Sequence, residues 1–372
     1  MALKVLIAPD KFKSTLTAHA AARAIADGWR KARPRDEIDL LPMSDGGDGF
    51  GAVMSEALGA KVQTIKTVDA ANRPIQARWW WEAKTRTAII ESAAVIGLAQ
   101  LPPGKFHPFA LDTFGLGEVI RAAAKKGARR CLIGIGGSAT NDGGLGVARA
   151  LGWKFLDSKG RELTHWTELS ALAEIHAPKE RRWFKEMIVA VDVQNPLLGK
   201  HGCTRIYGPQ KGLRPGDFPV AEKNLRRLAV VVAKQLRHDY AGEPGAGAAG
   251  GLGFGLRAFA GAKQKRGFEL FAWQADLARR IRAADVVITG EGAIDKSTLM
   301  GKGVGQLAQL CFKLETPCIG LAGAVTARGG RRKGFAETHG LIELTSVENA
   351  KRKPVFWLER LAAQTAREWC EE

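Results

Sequence analysis

Apolar runs and helically spaced apolar residues alternate along this chain. Residues 3–8 form an almost continuous apolar run, which is typical of a strand buried in a parallel sheet. After it, Thr17 can cap a helix with a regular apolar face, and Pro34 ends that helix. The intervening loop, residues 9–15, is therefore predicted at the carboxyl edge of a strand, where open α/β sheets bind ligands.

The same succession of strand, loop and helix returns further along the chain. Strands are predicted at residues 131–135, 187–191, 285–289 and 318–322, and helices at 221–238, 304–312 and 354–369. Strands that alternate with helices indicate an α/β fold. Polar or glycine-rich segments follow three of these strands, and they are the first places to look for a binding site.

Composition narrows the class of protein. The 372 residues are 45% hydrophobic and 25% charged, which suits a globular chain with room for two domain cores. The net charge is +18, but the Lys and Arg residues are dispersed and not interleaved with aromatic residues, so we expect a surface that attracts small anions and no nucleic-acid partner. No apolar run approaches the length of a membrane span. We expect a cytoplasmic protein without a membrane partner.

The 5 Cys residues have no CxxC spacing and suggest neither a disulfide framework nor a zinc site. Glycine is more informative, since many of the 44 Gly residues gather in four short clusters, three of which also contain carboxylates. These clusters are residues 44–49, 136–144, 245–255 and 290–295. Backbone amides in such turns can bind phosphate oxygens, and a magnesium ion would shield the phosphates from the nearby carboxylates.

Two of these clusters resemble known glycine-rich nucleotide-binding motifs. Residues 290–297 resemble a P-loop, but Asp295 stands where the second glycine is required. Residues 134–139 follow a strand and satisfy the loose dinucleotide pattern, with Asp157 at about the offset of a ribose-binding acid. An NAD-dependent oxidoreductase acting on a small hydroxy acid is therefore an alternative, although residues 140–144 lengthen the loop before any helix.

One acidic residue stands out as a candidate for proton transfer. Asp192 ends an apolar strand and precedes a turn that includes Asn195 and Pro196. A carboxylate at the end of such a strand projects into a cleft, so Asp192 is a candidate general base. The alternative is that it only caps the turn.

Several stretches resemble the motifs of bacterial glycerate kinases and occur in that family's order over nearly the whole chain. They are residues 7–13, 44–49, 134–140, 191–197, 208–212, 247–251 and 288–295. The chain differs from the usual family pattern at Lys11, at residues 48–50, at Leu116 and at Ala293. These differences bear on the substrate more than on the reaction, and Ala293 and Phe50 leave open a non-catalytic metabolite sensor built on a kinase scaffold.

The resemblance implies ATP-dependent phosphorylation of D-glycerate, most often at the 2-hydroxyl, with Mg²⁺. It also implies two α/β domains with the site in the cleft between them. A Rossmann or flavodoxin-like parallel-sheet domain would comprise residues 1–92 and 283–372, and residues 93–282 would form an inserted second α/β domain. The partners would be small molecules, ATP and glycerate, and the chain would be a monomer or a homodimer.

On this basis each candidate residue receives a role as a hypothesis. Asp192 accepts the proton of the attacking hydroxyl, while Lys13 and Lys11 neutralise negative charge. The phosphate- or nucleotide-binding candidates are Gly136, Gly137, Ser138, Thr140, Asn141, Gly290, Glu291 and Gly292. The substrate-binding candidates are Asp10, Asp45, Gly46, Gly47, Gly250 and Gly251, and Asp45 and Asp295 are the candidate magnesium ligands.

Overall fold

A computed structural model describes residues 2–44, 46–299, 303–326 and 334–369. The chain divides into two compact units. Unit 1 comprises Met1–Asp45 and Gly267–Glu372, so it is formed by both ends of the chain. Unit 2 is the continuous segment Gly46–Arg266.

The strands are β1 (Lys4–Ile7), β2 (Glu37–Leu40), β3 (Lys61–Val68), β4 (Pro74–Glu82), β5 (Thr87–Glu91), β6 (Arg130–Gly134), β7 (Lys154–Asp157), β8 (Leu172–His176), β9 (Glu186–Ala190), β10 (Lys263–Lys265), β11 (Val286–Ile294), β12 (Cys318–Val325) and β13 (Glu337–Gly340). The α-helices are α1 (Ala18–Ala32), α2 (Phe50–Leu58), α3 (Ala93–Ile96), α4 (Phe114–Lys125), α5 (Leu145–Ala150), α6 (Cys203–Lys211), α7 (Phe218–Leu236), α8 (Ala248–Ala260), α9 (Gly267–Gln274), α10 (Leu277–Arg282), α11 (Lys296–Leu299), α12 (Gly303–Lys313), α13 (Val347–Arg352) and α14 (Pro354–Glu368).

Unit 1 is built on a five-stranded sheet in the order β13-β12-β11-β1-β2. Every neighbouring pair in it is parallel, and β1 lies between β2 and β11. The two chain ends therefore share one sheet, as the strand patterns at both ends predict. Helices α1 and α14 pack closely, because a Cβ atom on Gly28 would lie 2.1 Å from the Glu359 carbonyl oxygen.

Unit 2 is built on a six-stranded sheet in the order β10-β9-β6-β5-β4-β3. Strands β5, β6, β9 and β10 run parallel, whereas β3 and β4 form an antiparallel hairpin at one edge. Strands β7 and β8 form a separate antiparallel pair. Buried apolar residues of this sheet and of helices α4, α5, α7 and α8 form one hydrophobic core.

The predicted α/β fold is confirmed, but the boundaries of the two units differ from the predicted division at residues 92 and 283. Strand β5 pairs with β6, β4 pairs with β5 and β3 pairs with β4, so residues 46–92 belong to unit 2. Residues 267–282 belong to unit 1. Apolar spacing locates strands in the sequence, but it does not reveal which strands pair, because pairing is set by contacts distant in sequence.

One predicted loop is a strand. Residues 290–294, expected as a polar turn, continue β11 and stay paired with β12 as far as Ile294 and Val325. The neighbouring strand supplies Gly and Ala at several of these positions. Pairing with a buried parallel neighbour outweighs the low strand preference of glycine here.

Candidate functional site

The carboxyl ends of β6 and β9 carry a glycine-rich loop of unit 2. Gly134 at the end of β6 lies beside Ala190 at the end of β9. Above them, the amide of Gly136 donates a 3.3 Å hydrogen bond to the carbonyl of Gly46. A Cβ atom on Gly46 would lie 3.0 Å from the Cβ of Ala190. The structure thus brings together Gly46, Gly47 and Gly136, which were predicted to bind ligands.

Gly137 lies in this loop in a backbone conformation that strains any side chain. Its φ is +74°, in the left-handed region, and a Cβ atom there would lie 2.0 Å from Oδ1 of Asp48. Both residues are exposed. Asp48 was not among the predicted site residues, although it belongs to the 44–49 cluster. Its carboxylate lies beside backbone that was predicted to receive phosphate.

The backbone of this loop is fixed on one side by the segment after α3. Leu98 donates its amide hydrogen to the carbonyl of Gly137, and Ala139 donates to the carbonyl of Ile96, each over 2.9 Å. Within the loop, the hydroxyls of Ser138 and Thr140 lie 2.9 Å apart, and the amide of Thr140 donates to Ser138 Oγ. Both hydroxyls are in buried residues and bind each other, so the backbone amides remain the better candidates for an anion.

Gly250 and Gly251, predicted to bind substrate, are packed against the same loop. Ala249, Gly250 and Gly251 all adopt left-handed backbone conformations at the start of α8. The carbonyl of Gly250 accepts a 3.1 Å hydrogen bond from the amide of Gly143. The two glycines are buried, and the contacts recorded for them join one loop to another.

A buried carboxylate joins two helices below the loop. Oδ2 of Asp142 accepts hydrogen bonds from the amide and hydroxyl of Thr113 and from the amide of Gly146, and Oδ1 accepts from the amide of Gly144. Burial, together with the nearby Asp112, raises the pKa of Asp142, and these hydrogen bonds oppose that rise. Asp142 therefore ties the starts of α4 and α5 to the loop, a role that the glycine-rich pattern did not suggest.

Asn141, a predicted phosphate-binding residue, is fully buried. Its Nδ2 donates a 3.1 Å hydrogen bond to Oγ1 of Thr204 on α6. Among the residues that the structure describes, none donates to its Oδ1. Nδ2 carries two hydrogens, and the contact with Thr204 uses one of them. The phosphate-binding role of Asn141 stays a prediction.

Asp192 lies two residues beyond the end of β9, and its side chain is exposed. The following turn is held by Asn195, whose side chain accepts a 2.6 Å hydrogen bond from the Tyr207 hydroxyl and donates to the carbonyl of His201. β9 lies next to β6 in the sheet, so Asp192 and the loop of Gly136 leave the sheet at the same edge. The role of Asp192 as a general base stays a prediction.

In unit 1, the loop after β1 packs against β11. The amide of Asp10 donates to the carbonyl of Gly290, and the amide of Lys11 donates to Oδ1 of Asp10. A Cβ atom on Gly292 would lie 3.4 Å from the backbone nitrogen of Lys13. Lys11 is half-buried and Lys13 is exposed. These predicted residues are therefore neighbours within unit 1.

The other acidic candidates of unit 1 surround Thr298. Its hydroxyl donates a 2.7 Å hydrogen bond to Oε1 of Glu291, and its amide donates to Oδ1 of Asp295. The amide of Asp295 in turn donates to the Thr298 hydroxyl, so Asp295 caps the short helix α11. Asp45, predicted as a substrate and magnesium ligand, lies outside the described residues.

The residue that supported a dinucleotide site is elsewhere. Asp157 ends β7, which pairs with β8 and is not part of the six-stranded sheet. Its carboxylate accepts hydrogen bonds from the amides of Lys159 and Arg161 and from the Arg161 side chain, and these bonds lower its pKa. The prediction of Asp157 as a ribose-binding acid is wrong, because β7 turns away into its own hairpin.

Sequence reasoning gave no role to a buried lysine beneath the glycine-rich loop. Nζ of Lys211, the last residue of α6, donates a 2.7 Å hydrogen bond to the carbonyl of Thr140. Burial lowers the pKa of Lys211 to about 8, and Cys203 and Asp142 oppose that shift. The signal was available, since Lys211 lies in the 208–212 motif, but its contact with Thr140 crosses many residues of sequence.

Two further observations concern classes of ligand. Among the residues that the structure describes, no group of three or more His, Cys, Asp or Glu side chains is arranged to hold a metal ion. In the same part of the chain, none of the helices combines the length and the apolar character that crossing a membrane requires.

Comparison with known proteins gives a consistent result over the whole chain. The model of the glycerate kinase family matches residues 5–370. A glycerate kinase of Bacillus subtilis is 37% identical over 98% of this chain and 97% of its own length. A glycerate 2-kinase of Escherichia coli is 37% identical over 93% of this chain and 90% of its own. A crystal structure assigned to glycerate kinase 2 of Salmonella typhimurium LT2 superposes with a TM-score of 0.85 at 35% identity, covering 99% of this chain and 98% of that one.

Proposed function

This chain belongs to the glycerate kinase family, and we propose that it transfers the γ-phosphoryl group of ATP to the 2-hydroxyl of D-glycerate. The observation that carries this proposal is the loop at the end of β6. There Gly137 is exposed and has a left-handed backbone conformation. It lies beyond the carboxyl end of a parallel strand, where backbone amides can bind phosphate. The predicted kinase class follows from the family, whereas the phosphate donor and the hydroxyl are proposals.

The loop of Gly136, Gly137 and Ser138 supplies the backbone amides of Gly137 and Ser138 for the nucleotide phosphates, since the Gly136 amide donates to the carbonyl of Gly46. Its conformation is already fixed by hydrogen bonds from and to the segment around Leu98, so little ordering is needed when the ligand binds. Phosphoryl transfer depends mainly on alignment and on neutralising charge, which a rigid ring of amides supplies.

Asp192 accepts the proton from the attacking hydroxyl of glycerate. Its exposed carboxylate follows β9 at the same edge of the sheet as the loop. An exposed base can perform this step, because the alcohol loses its proton only as its oxygen bonds to phosphorus. The charge-neutralising role of Lys11 and Lys13 in unit 1 stays a prediction.

The residues of unit 2 fit a magnesium ion. Mg²⁺ commonly binds one or two protein carboxylates together with substrate phosphates and water. Asp48 offers a carboxylate beside Gly137, where a phosphate alone would be repelled. Asp48 would hold the ion, which when bound neutralises phosphate charge. Asp45 remains a prediction, and Asp295 has one carboxylate oxygen engaged by Thr298.

The cellular location and the oligomeric state of the protein are part of the same proposal. The protein acts on small molecules in the cytoplasm, as the family resemblance and the absence of a predicted membrane segment suggest. It does so as a monomer or a homodimer. Size-exclusion chromatography with light scattering would distinguish these two states.

The proposal is tested by measuring ADP release with Mg-ATP and a panel of hydroxy acids that includes D-glycerate and tartronate. We expect D-glycerate to be the best acceptor, and phosphorus NMR of the product to show the phosphate on carbon 2. A product phosphorylated on carbon 3 would overturn the choice of hydroxyl. Nucleotide binding without ADP release for any acceptor would instead support the sensor alternative.

A further inference from the structure

The strongest unexplained feature is the buried ammonium of Lys211. The residue is only 6% exposed, and it stands at the end of α6 beneath the glycine-rich loop. Burying a lysine in protein interior is costly, because the charged group loses its hydration. The Lys211 ammonium donates a hydrogen bond to a backbone carbonyl, that of Thr140, and not to a carboxylate.

The Thr140 carbonyl is a point where three elements meet. Lys211 from α6 donates to it, and Gly250 from α8 approaches it so closely that a Cβ atom would lie 1.9 Å away. The hydroxyl and amide of Thr140 both bind Ser138. A shift of this carbonyl would therefore move Ser138 and the exposed amides just before it.

We infer that Lys211 is a positioning residue for the phosphate-binding loop. Its ammonium fixes the Thr140 carbonyl, which is linked to Ser138, so that the amides of Gly137 and Ser138 keep one orientation. It also places a positive charge next to this loop. This inference rests on the proposed function, since it takes the loop to hold phosphate.

The groups that face the ammonium agree with a charged lysine at neutral pH. Asp142 of the loop and Cys203 of α6 both favour the protonated form. Glu222 of α7 raises the pKa of Cys203. Helix α8 contributes backbone at Gly250, and backbone does not titrate. With a pKa of about 8, Lys211 loses its charge in mildly alkaline solution.

A pH series of nucleotide affinity tests the inference. The dissociation constant for Mg-ADP is measured by titration calorimetry between about pH 6.5 and 9.5. For the wild type we expect it to rise by up to about tenfold per pH unit above 8, because one proton is linked to binding. Lys211→Met should bind about tenfold or more weakly at pH 7 and lack this alkaline dependence.

Two further variants separate charge from packing. Lys211→Arg keeps the charge at all these pH values, so its affinity should stay nearly constant as the pH rises. Lys223→Met removes an exposed lysine of α7 and should behave as the wild type at every pH. Should Lys211→Met fail to fold by circular dichroism, the comparison of wild type with Lys211→Arg still decides.

The inference is overturned if a folded Lys211→Met matches the wild-type affinity and pH profile, or if the alkaline dependence persists in Lys211→Arg. Failure of the proposed function has a different signature. In that case the wild type phosphorylates no hydroxy acid, and the Mg-ADP series still tests Lys211. A wild type that binds no nucleotide overturns both.

Discussion

The carbonyl oxygen of Thr140 lies 1.9 Å from the point where a Cβ atom on Gly250 would stand. Two glycine-rich segments therefore make contact through their backbones, with no side chain between them. The amide of Gly143 donates to the carbonyl of Gly250 in the same contact. Because both loops leave the unit 2 core here, this contact determines where residues 136–138 lie at the edge of the sheet.

Gly250→Ala should destabilise unit 2 by about 2–3 kcal/mol, since its Cβ would push against backbone that cannot yield by rotating a side chain. Urea unfolding followed by circular dichroism measures the loss. The matched control is Gly261→Ala at the end of the same helix, where φ is +66° and no atom lies within 4 Å of the added Cβ. The control should lose only about 1 kcal/mol, from backbone strain. Equal losses in the two variants would show that the contact with Thr140 is unimportant.

Gly137→Ala should impair catalysis far more than folding. The added Cβ would displace Asp48 and tilt the exposed amides, and a misplacement of about 1 Å can reduce kcat/KM about 100-fold. Gly160→Ala is the control, because Gly160 has a φ of +78° and open space around it. Both variants carry similar backbone strain, of about 1 kcal/mol. Comparable kcat/KM values for the two would remove Gly137 from the phosphate site.

The glycine clusters show what sequence can and cannot establish about the site. Glycine next to carboxylate indicated the loop at Gly136 and Gly137, because a strand end with flexible backbone is a local feature, and the binding role of this loop stays a prediction. A glycine cluster without a carboxylate indicated Gly250, whose neighbours in the described residues are backbone atoms of the adjacent loop. A glycine required by a ligand and a glycine required by neighbouring backbone look identical in sequence, and only the contact with Thr140 separates them.

Strand boundaries and strand pairing are also only partly predictable from the sequence. The apolar run at residues 285–289 predicted β11 but not its continuation to Ile294, because the extension depends on pairing with β12. Similarly, nothing local shows that β5 pairs with β6 and carries residues 46–92 into unit 2. Asp142 and Lys211 were missed for the same reason, since their importance lies in burial and in long-range hydrogen bonds.

Asp36 should make the stability of unit 1 sensitive to acid. Burial disfavours its ionisation, but hydrogen bonds from Arg33, the Leu3 amide and the Trp29 indole outweigh this and lower its pKa. A lowered pKa contributes stability above the unfolded-state value of about 4, and that contribution disappears as the pH falls through the folded-state value. Thermal unfolding of the wild type and Asp36→Asn should therefore differ at pH 7 and converge toward pH 2. A difference that stays constant with pH would contradict the assignment.

Asp192→Asn should abolish turnover while leaving nucleotide affinity nearly unchanged. Asparagine has almost the same shape but cannot accept the hydroxyl proton, so kcat should fall by about 10²–10⁴. Affinity for Mg-ADP should stay within about twofold, because in the proposal the amides of Gly137 and Ser138, and not Asp192, bind the phosphates. Asp239→Asn is the control, since Asp239 is also exposed and lies in a turn of unit 2, where its Oδ1 accepts from the Ala241 amide. Turnover in Asp192→Asn that equals turnover in this control would exclude Asp192 as the base, and the proton would then have to leave directly to solvent.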